Sequence, residues 1–79
     1  MIEGRVRFWY RDEGWGVLDS PPTPGGCWAH FSVVEMDGYR QLDTGQRVFF
    51  CAESPGQDGY DFRATRIDAP AGWSLPLDE

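Results

Sequence analysis

Two short segments with planar or apolar side chains at alternate positions constrain the fold of this chain most strongly. The first contains Trp15 and Val17, and the second contains Trp28 and His30. In a β-strand alternate residues share one face, so the two residues of each pair point the same way. Flat rings that a small protein turns into solvent usually stack on flat partners. Nucleic-acid bases are the commonest such partner, and one stacked base contributes roughly 1–3 kcal/mol.

The length of 79 residues allows one domain with a modest core. An enzyme pocket lined by several convergent polar groups is hard to build in a chain of this size. Short apolar stretches alternate with Gly, Pro, Asp and Ser, which is typical of an all-β barrel or sandwich. The predicted strands are Gly4–Tyr10, Trp15–Asp19, Cys27–His30, Arg47–Glu53 and Asp61–Ile67.

Alternation within these strands also predicts the core and the connections. The expected inward residues are Val6, Leu18, Cys27, Ala29, Val48, Phe50, Ala64 and Ile67. Phe49 and Cys51 are expected to point outward and to form a second apolar patch. Gly16 in mid-strand predicts close packing or a bulge. The three prolines between Pro21 and Pro24 predict a loop, and Ser32–Val34 is expected to form a single 3₁₀ turn.

The net charge is −6, from 13 acidic residues against 7 arginines. Nucleic-acid-binding domains are usually basic, so any binding must depend on where the charges lie rather than on their sum. Arg5, Arg7 and Arg11 flank the first aromatic segment, whereas many acids lie in expected turns. The simplest interpretation is that these acids are solvated surface charges.

The two cysteines and the single histidine are not spaced for a metal site, and the sequence predicts neither a metal nor a cofactor. No apolar run approaches the ~18 residues that a membrane span needs. The first residues lack the basic start and apolar core of a secretory signal. We therefore expect a cytoplasmic protein with reduced thiols, no membrane association and Cys27 packed as a small buried residue.

The two aromatic segments resemble the paired ribonucleoprotein motifs of the bacterial cold-shock proteins. The resemblance starts with Met1–Trp9, includes His30-Phe31-Ser32 and Gly45–Val48, and ends near Ile67. It implies an all-β, five-stranded antiparallel OB-fold barrel over residues 1–67. Residues 68–79, which contain Trp73, are expected to form a flexible C-terminal tail.

The resemblance also implies a binding site for single-stranded RNA or DNA. The implied nucleic-acid-binding residues are Arg7, Phe8, Trp15, Val17, Trp28, His30, Phe31 and Tyr39. Phe8 shares the parity of the inward Val6, so a β-bulge is needed between them if Phe8 is to face outward. Two residues depart from the family pattern, because Glu13 replaces a lysine and Val17 replaces an aromatic residue. Both departures are expected to weaken binding.

The function implied by the resemblance is low-specificity binding of unpaired strands. An RNA chaperone of this kind melts weak hairpins and so affects transcription or translation. The alternative is a barrel that serves as a protein-interaction module with weakened nucleic-acid binding, which Glu13, Val17 and the outward Phe49 favour. An enzyme is not expected, because His30 has no nucleophile or metal set beside it. The sequence is compatible with a monomer or a strand-exchanged homodimer.

Overall fold

The computed structural model describes residues 1–35 and 42–69, and within these ranges the chain has β-strands and no α-helix. The strands are β1 (Ile2–Tyr10), β2 (Trp15–Asp19), β3 (Cys27–His30), β4 (Val34–Glu35), β5 (Arg47–Glu53) and β6 (Phe62–Asp68). A 3₁₀ helix covers Phe31–Val33, one residue earlier than expected. The all-β prediction is confirmed, and the two-residue β4 is the only strand in these ranges that it lacked.

The strands form one sheet in the order β3-β2-β1-β5-β6-β4, and an additional pairing of β3 with β6 closes it into a barrel. The pairs β1–β2, β2–β3, β1–β5 and β5–β6 are antiparallel. The pairs β3–β6 and β4–β6 are parallel, so the expectation of a purely antiparallel barrel is wrong. Five strands in a closed ring cannot alternate in direction throughout. Closure by β3 and β6 therefore requires one parallel pair.

The pairing of β1 with β2 slips by one residue between Val6 and Phe8. Val6 lies opposite Leu18 and belongs to the core, whereas Phe8 lies opposite Val17 on the outer face. The extra residue is Arg7. A bulge at this point changes which face the following residues occupy. The bulge predicted between Val6 and Phe8 is therefore confirmed.

Gly16 fills a position in β2 where no side chain fits. A Cβ atom at Gly16 would lie 2.3 Å from the Phe8 carbonyl oxygen and 2.4 Å from Trp9 Cε3. The Trp9 ring is partly buried against the core and packs over Gly16, its partner in the ladder. The close packing predicted for Gly16 is therefore confirmed, and it lets β1 and β2 pair tightly beneath the outer face.

The core contains every residue that alternation placed inside the barrel. All eight expected inward residues are buried in one cluster, which Val34 and Leu42 complete. Burial raises the pKa of the Cys27 thiol to about 11, so the thiol stays protonated and packs as an apolar group. Phe49 and Cys51 lie outside this cluster, as expected, and the Arg47 guanidinium lies 5.0 Å from the centre of the Phe49 ring.

The last described strand passes the expected end of the barrel domain. β6 includes Asp68, which pairs with Phe49 and Glu35, and Ala69 packs against the core. Tyr39, Trp73 and the rest of the tail lie outside the described residues. Within the described ranges no helix has the length and apolar character of a membrane span, and no three potential metal ligands cluster.

Candidate nucleic-acid interface

The register of β1, β2 and β3 places aromatic side chains side by side on the outer face. Tyr10 lies opposite Trp15, and Trp15 lies opposite His30. In the neighbouring row, Val17 lies between Phe8 on β1 and Trp28 on β3. Phe31 follows β3 directly. We call the resulting surface the aromatic face, and its rings belong to Phe8, Tyr10, Trp15, Trp28, His30 and Phe31.

The rings of the aromatic face form a continuous series. The centroids of Trp15 and Trp28 are 6.2 Å apart with planes inclined by 22°, and those of Trp28 and His30 are 6.0 Å apart with planes inclined by 16°. Phe8 and Tyr10 meet Trp15 edge-on, at 5.8 and 5.0 Å between centroids. The face thus has a strip of three rings whose planes are nearly parallel, and two further rings meet Trp15 edge-on.

Val17 lies among these rings but does not reach the surface. Its relative exposure is 0%. Gly26 packs closely against it, because a Cβ atom at Gly26 would lie 2.8 Å from Val17 Cγ1. The expectation that Val17 is one of the ligand-contacting residues is therefore corrected, because a fully covered side chain cannot touch a ligand. Val17 instead pairs with Phe8 and Trp28 across the two ladders, so it lies between the residues that carry these rings.

Tyr10 was absent from the residues implied by the resemblance, yet it belongs to the aromatic face. Its exposure is 47%, and its ring centroid lies 4.9 Å from that of Phe8. Phe8 and Tyr10 are two residues apart in one strand, so alternation alone could have placed both rings together. The signal was hidden because Phe8 itself could be assigned to this face only through the bulge.

Hydrogen bonds fix the orientation of two rings. Trp15 Nε1 donates to Glu13 Oε1 at 2.9 Å. The backbone N–H of Ser32 donates to His30 Nδ1 at 3.2 Å, and the Ser32 hydroxyl lies 2.8 Å from the same nitrogen. Because Nδ1 accepts the backbone hydrogen bond, Nε2 carries the hydrogen in the neutral ring. The Nε2 donor is then the one available to a ligand.

Phe31 and Gly14 are held against each other at the end of the face. Phe31 N donates to the Gly14 carbonyl oxygen at 2.8 Å. Gly14 has a φ of 77°, which favours glycine, and a Cβ atom there would lie 2.8 Å from Phe31 Cδ1. The Phe31 ring can therefore cross the β1–β2 turn closely while 41% of the residue remains exposed.

Trp28 has a buried polar atom without a hydrogen-bond partner. Its Nε1 is the one buried side-chain nitrogen or oxygen among the described residues that has no hydrogen-bond partner. An unsatisfied buried donor costs about 1–3 kcal/mol. Such local costs concentrate at functional sites, where a side chain is oriented for its partner rather than for stability.

Most of the described arginines form ion pairs with carboxylates. The ion pairs are Arg7–Asp19, Arg11–Asp43, Arg47–Glu3, Arg63–Glu53 and Arg66–Asp68. Arg5 donates to the Gly45 carbonyl oxygen at 3.2 Å. The ionic pairing leaves the aromatic face with little unneutralised positive charge from the described residues. Stacking is therefore the main interaction that this face offers.

Arg7 lies at the β1 bulge, directly before Phe8 of the aromatic face. Its Nε donates to both Asp19 oxygens at 3.0 and 3.1 Å, and its terminal nitrogen donates to Oδ1 at 2.6 Å. These hydrogen bonds raise the pKa of the Arg7 guanidinium above its ordinary value. That Arg7 contacts nucleic acid stays a prediction, and the sequence alone did not indicate that Asp19 holds the Arg7 guanidinium.

An open groove continues from the aromatic face toward β6. It is lined by Trp28, His30, Ser32, Val33, Arg63, Ala64 and Thr65. The groove lies along the β3–β6 junction, where Trp28 pairs with Arg63. Tyr39, the remaining residue implied by the resemblance, lies outside the described residues.

The chain is similar to several cold shock proteins. The chain is 37% identical over 60 residues to the cold shock-like protein CspD of Vibrio cholerae, an alignment that covers 76% of this chain and 78% of that protein. It is 40% identical over 50 residues to CspD of Haemophilus influenzae, covering 63% and 69% of the two chains. The major cold shock protein CspA of Bacillus cereus is 33% identical over 49 residues, covering 62% and 72%. No protein-family model matches the chain.

Proposed function

The chain belongs to the cold-shock protein family, and on that premise we propose that it binds single-stranded RNA or DNA through the aromatic face. The observation that carries the proposal is the strip of Trp15, Trp28 and His30, whose ring planes are nearly parallel. Its rings lie on the outer face of a closed barrel, and the 3₁₀ helix is the only helix in the described ranges. Exposed stacking surfaces of this kind bind bases at roughly 1–3 kcal/mol each.

The spacing of the rings favours single strands over duplexes. Adjacent centroids in the strip are 6.2 and 6.0 Å apart. Successive nucleotides of one duplex strand rise by roughly 3.4 Å, so bases on successive rings must separate from one another. A base that is paired and stacked within a duplex cannot do this. Binding therefore competes with base pairing.

Low sequence specificity follows from the same geometry. Every base has a π-face, so a ring accepts any of them, whereas discrimination needs hydrogen bonds to base edges. The described face offers few such donors, of which His30 Nε2 is the clearest. A protein that captures unpaired bases without strong preference opposes hairpin formation. We propose an RNA chaperone that acts in the cytoplasm on transcription or translation and catalyses no reaction.

Tryptophan fluorescence titration tests the proposal. Single-stranded oligothymidine is expected to quench Trp15 and Trp28, and a duplex of equal length is expected to bind far more weakly. Trp28→Ala should reduce the affinity about 5- to 150-fold, which corresponds to the loss of one stacked base at roughly 1–3 kcal/mol. Phe49→Ala is the matched control, because it removes a partly exposed ring outside the core cluster and outside the aromatic face.

The outcomes separate the two candidate functions. Equal affinity of the wild-type protein for single strand and duplex, or unchanged affinity of Trp28→Ala, would contradict the stacking site. The second candidate is a protein-interaction module, and the ion pairing of the described arginines favours it because phosphate contacts are few. That candidate predicts only weak binding of single-stranded oligothymidine, even at low salt.

A further inference from the structure

Tyr10 extends the aromatic face beyond the rings that the family motifs account for. Its ring touches Phe8 and Trp15, at 4.9 and 5.0 Å between centroids. Tyr10 and Phe31 are the two terminal members of a series of ring contacts that runs from Tyr10 through Trp15, Trp28 and His30 to Phe31. Both adjoin Gly14 in the β1–β2 turn.

The exposure of the terminal rings differs from that of the inner ones. Tyr10 and Phe31 are 47% and 41% exposed, and apart from Met1 they are the large apolar side chains that the described residues leave exposed. The inner rings of Phe8, Trp15 and Trp28 are partly buried by their neighbours. A terminal ring that is covered on one side only by other rings has its outer side free for a ligand.

The backbone holds Tyr10 in a fixed place. It is the last residue of β1, and its carbonyl oxygen accepts hydrogen bonds from Gly14 N at 2.8 Å and Glu13 N at 3.2 Å. It also pairs with Trp15 across the ladder. A tyrosine ring has few rotatable bonds, so little conformational entropy is lost when a ligand contacts it. These features are those of a preorganised contact rather than of a loose surface residue.

We propose that Tyr10 forms an additional nucleotide-stacking position, so that the bound single strand extends one nucleotide past Trp15 at the β1–β2 turn. This inference rests on the proposed function and specifies how far the bound strand extends along the aromatic face. The Tyr10 ring provides the stacking surface, and its hydroxyl is not required. The position adds affinity only when the ligand is long enough to reach from the Trp15–Trp28–His30 strip to the turn.

Oligothymidines that grow one nucleotide at a time test this position. For the wild-type protein, affinity should rise with length until every ring is occupied. Tyr10→Ala should reach its plateau one nucleotide earlier, and its affinity for the longest oligomers should fall about 5- to 150-fold, the equivalent of one stacked base. Its affinity for the shortest binding oligomers should be nearly unchanged. Tyr10→Phe is the matched control and should retain the wild-type length dependence.

The possible results separate this inference from the proposed function. No binding of any oligomer by the wild-type protein overturns the proposed function. Wild-type binding with the same length dependence in Tyr10→Ala overturns the additional position alone. Equal losses at every length also overturn it, because Tyr10 would then act only by holding Trp15. A loss in Tyr10→Phe as large as that in Tyr10→Ala would assign the contact to the hydroxyl and overturn ring stacking.

Discussion

Among single residues, Glu13 has two opposing effects on the aromatic face. Its carboxylate accepts the Trp15 indole hydrogen bond at 2.9 Å, and it also brings a negative charge to the edge of that face. The sequence motif indicates only the charge, because a lysine is usual at this position in the family. The structure adds the positional role, in which Glu13 orients a ring that a base would contact.

Substitutions of Glu13 separate the two effects. Glu13→Gln keeps an acceptor oxygen and removes the charge, so affinity for oligothymidine should rise about two- to five-fold, within the 0.2–1 kcal/mol typical of exposed charge pairs. Glu13→Lys should also bind more tightly at low salt, and its salt slope should steepen by about 0.7 for the added phosphate contact. Fluorescence titration at several salt concentrations measures both.

The ligand-free emission of the two variants provides the control. Lysine has no acceptor, so Trp15 loses its partner in Glu13→Lys and its emission should change, whereas Glu13→Gln should match the wild-type protein. If Glu13→Lys binds more weakly than the wild type, the orientation of Trp15 outweighs the charge. If neither variant alters binding, Glu13 lies off the ligand path.

For the strands as elements, the β1–β2 pair determines the aromatic face. The bulge at Arg7 turns Phe8 and Tyr10 outward, and Gly16 allows Trp9 to pack across β2 on the other side. The two features act together. The bulge turns side chains of β1 outward, and Gly16 allows the bulged β1 to pair closely with β2. The face consequently depends on backbone geometry as much as on the rings themselves.

Gly16→Ala tests this dependence through stability. A Cβ atom 2.3 Å from the Phe8 carbonyl oxygen forces the two backbones apart, and such overpacking costs typically about 1–3 kcal/mol. For a domain of this size each 1 kcal/mol lowers Tm by roughly 4–8 °C. Thermal unfolding followed by circular dichroism measures the shift. The control Thr44→Ala lies in an exposed turn and should change Tm little. An unchanged Tm for Gly16→Ala would mean that β1 and β2 separate without cost.

For the whole molecule, charge distribution decides how the protein meets a polyanion. The net charge is −6, and carboxylates hold five of the described arginines. A ligand that draws Arg7 to a phosphate must first displace Asp19, which accepts three hydrogen bonds from it. Affinity should therefore depend only weakly on salt in the wild-type protein, because few counterions are released.

Asp19→Asn should release Arg7 for a phosphate contact. We expect tighter binding of oligothymidine and a salt slope steeper by about 0.7, measured by titration between about 50 and 200 mM NaCl. Glu3→Gln is the matched control, because it changes the net charge equally but frees Arg47, which lies over Phe49 away from the aromatic face. Equal effects of the two substitutions would show that total charge, and not the release of Arg7, controls binding.

The sequence by itself determined the strands, the buried residues and most rings of the aromatic face. Strand alternation is a local property, because neighbouring peptide units fix which side each side chain takes. The eight inward residues could therefore be identified without knowledge of any partner strand, and so could the pairs Trp15 and Val17, and Trp28 and His30.

Only the tertiary structure decided which of these residues reach the surface and which charges are free. The burial of Val17, the exposure of Tyr10 and the pairing of Arg7 with Asp19 all depend on the register between strands. Register is set by contacts between residues far apart in the chain, and Arg47 and Glu3 are 44 positions apart. The parallel pairing of β3 with β6 also depends on the tertiary structure. A closed ring with an odd number of strands needs a parallel pair, and no single segment of the sequence shows how many strands the ring contains.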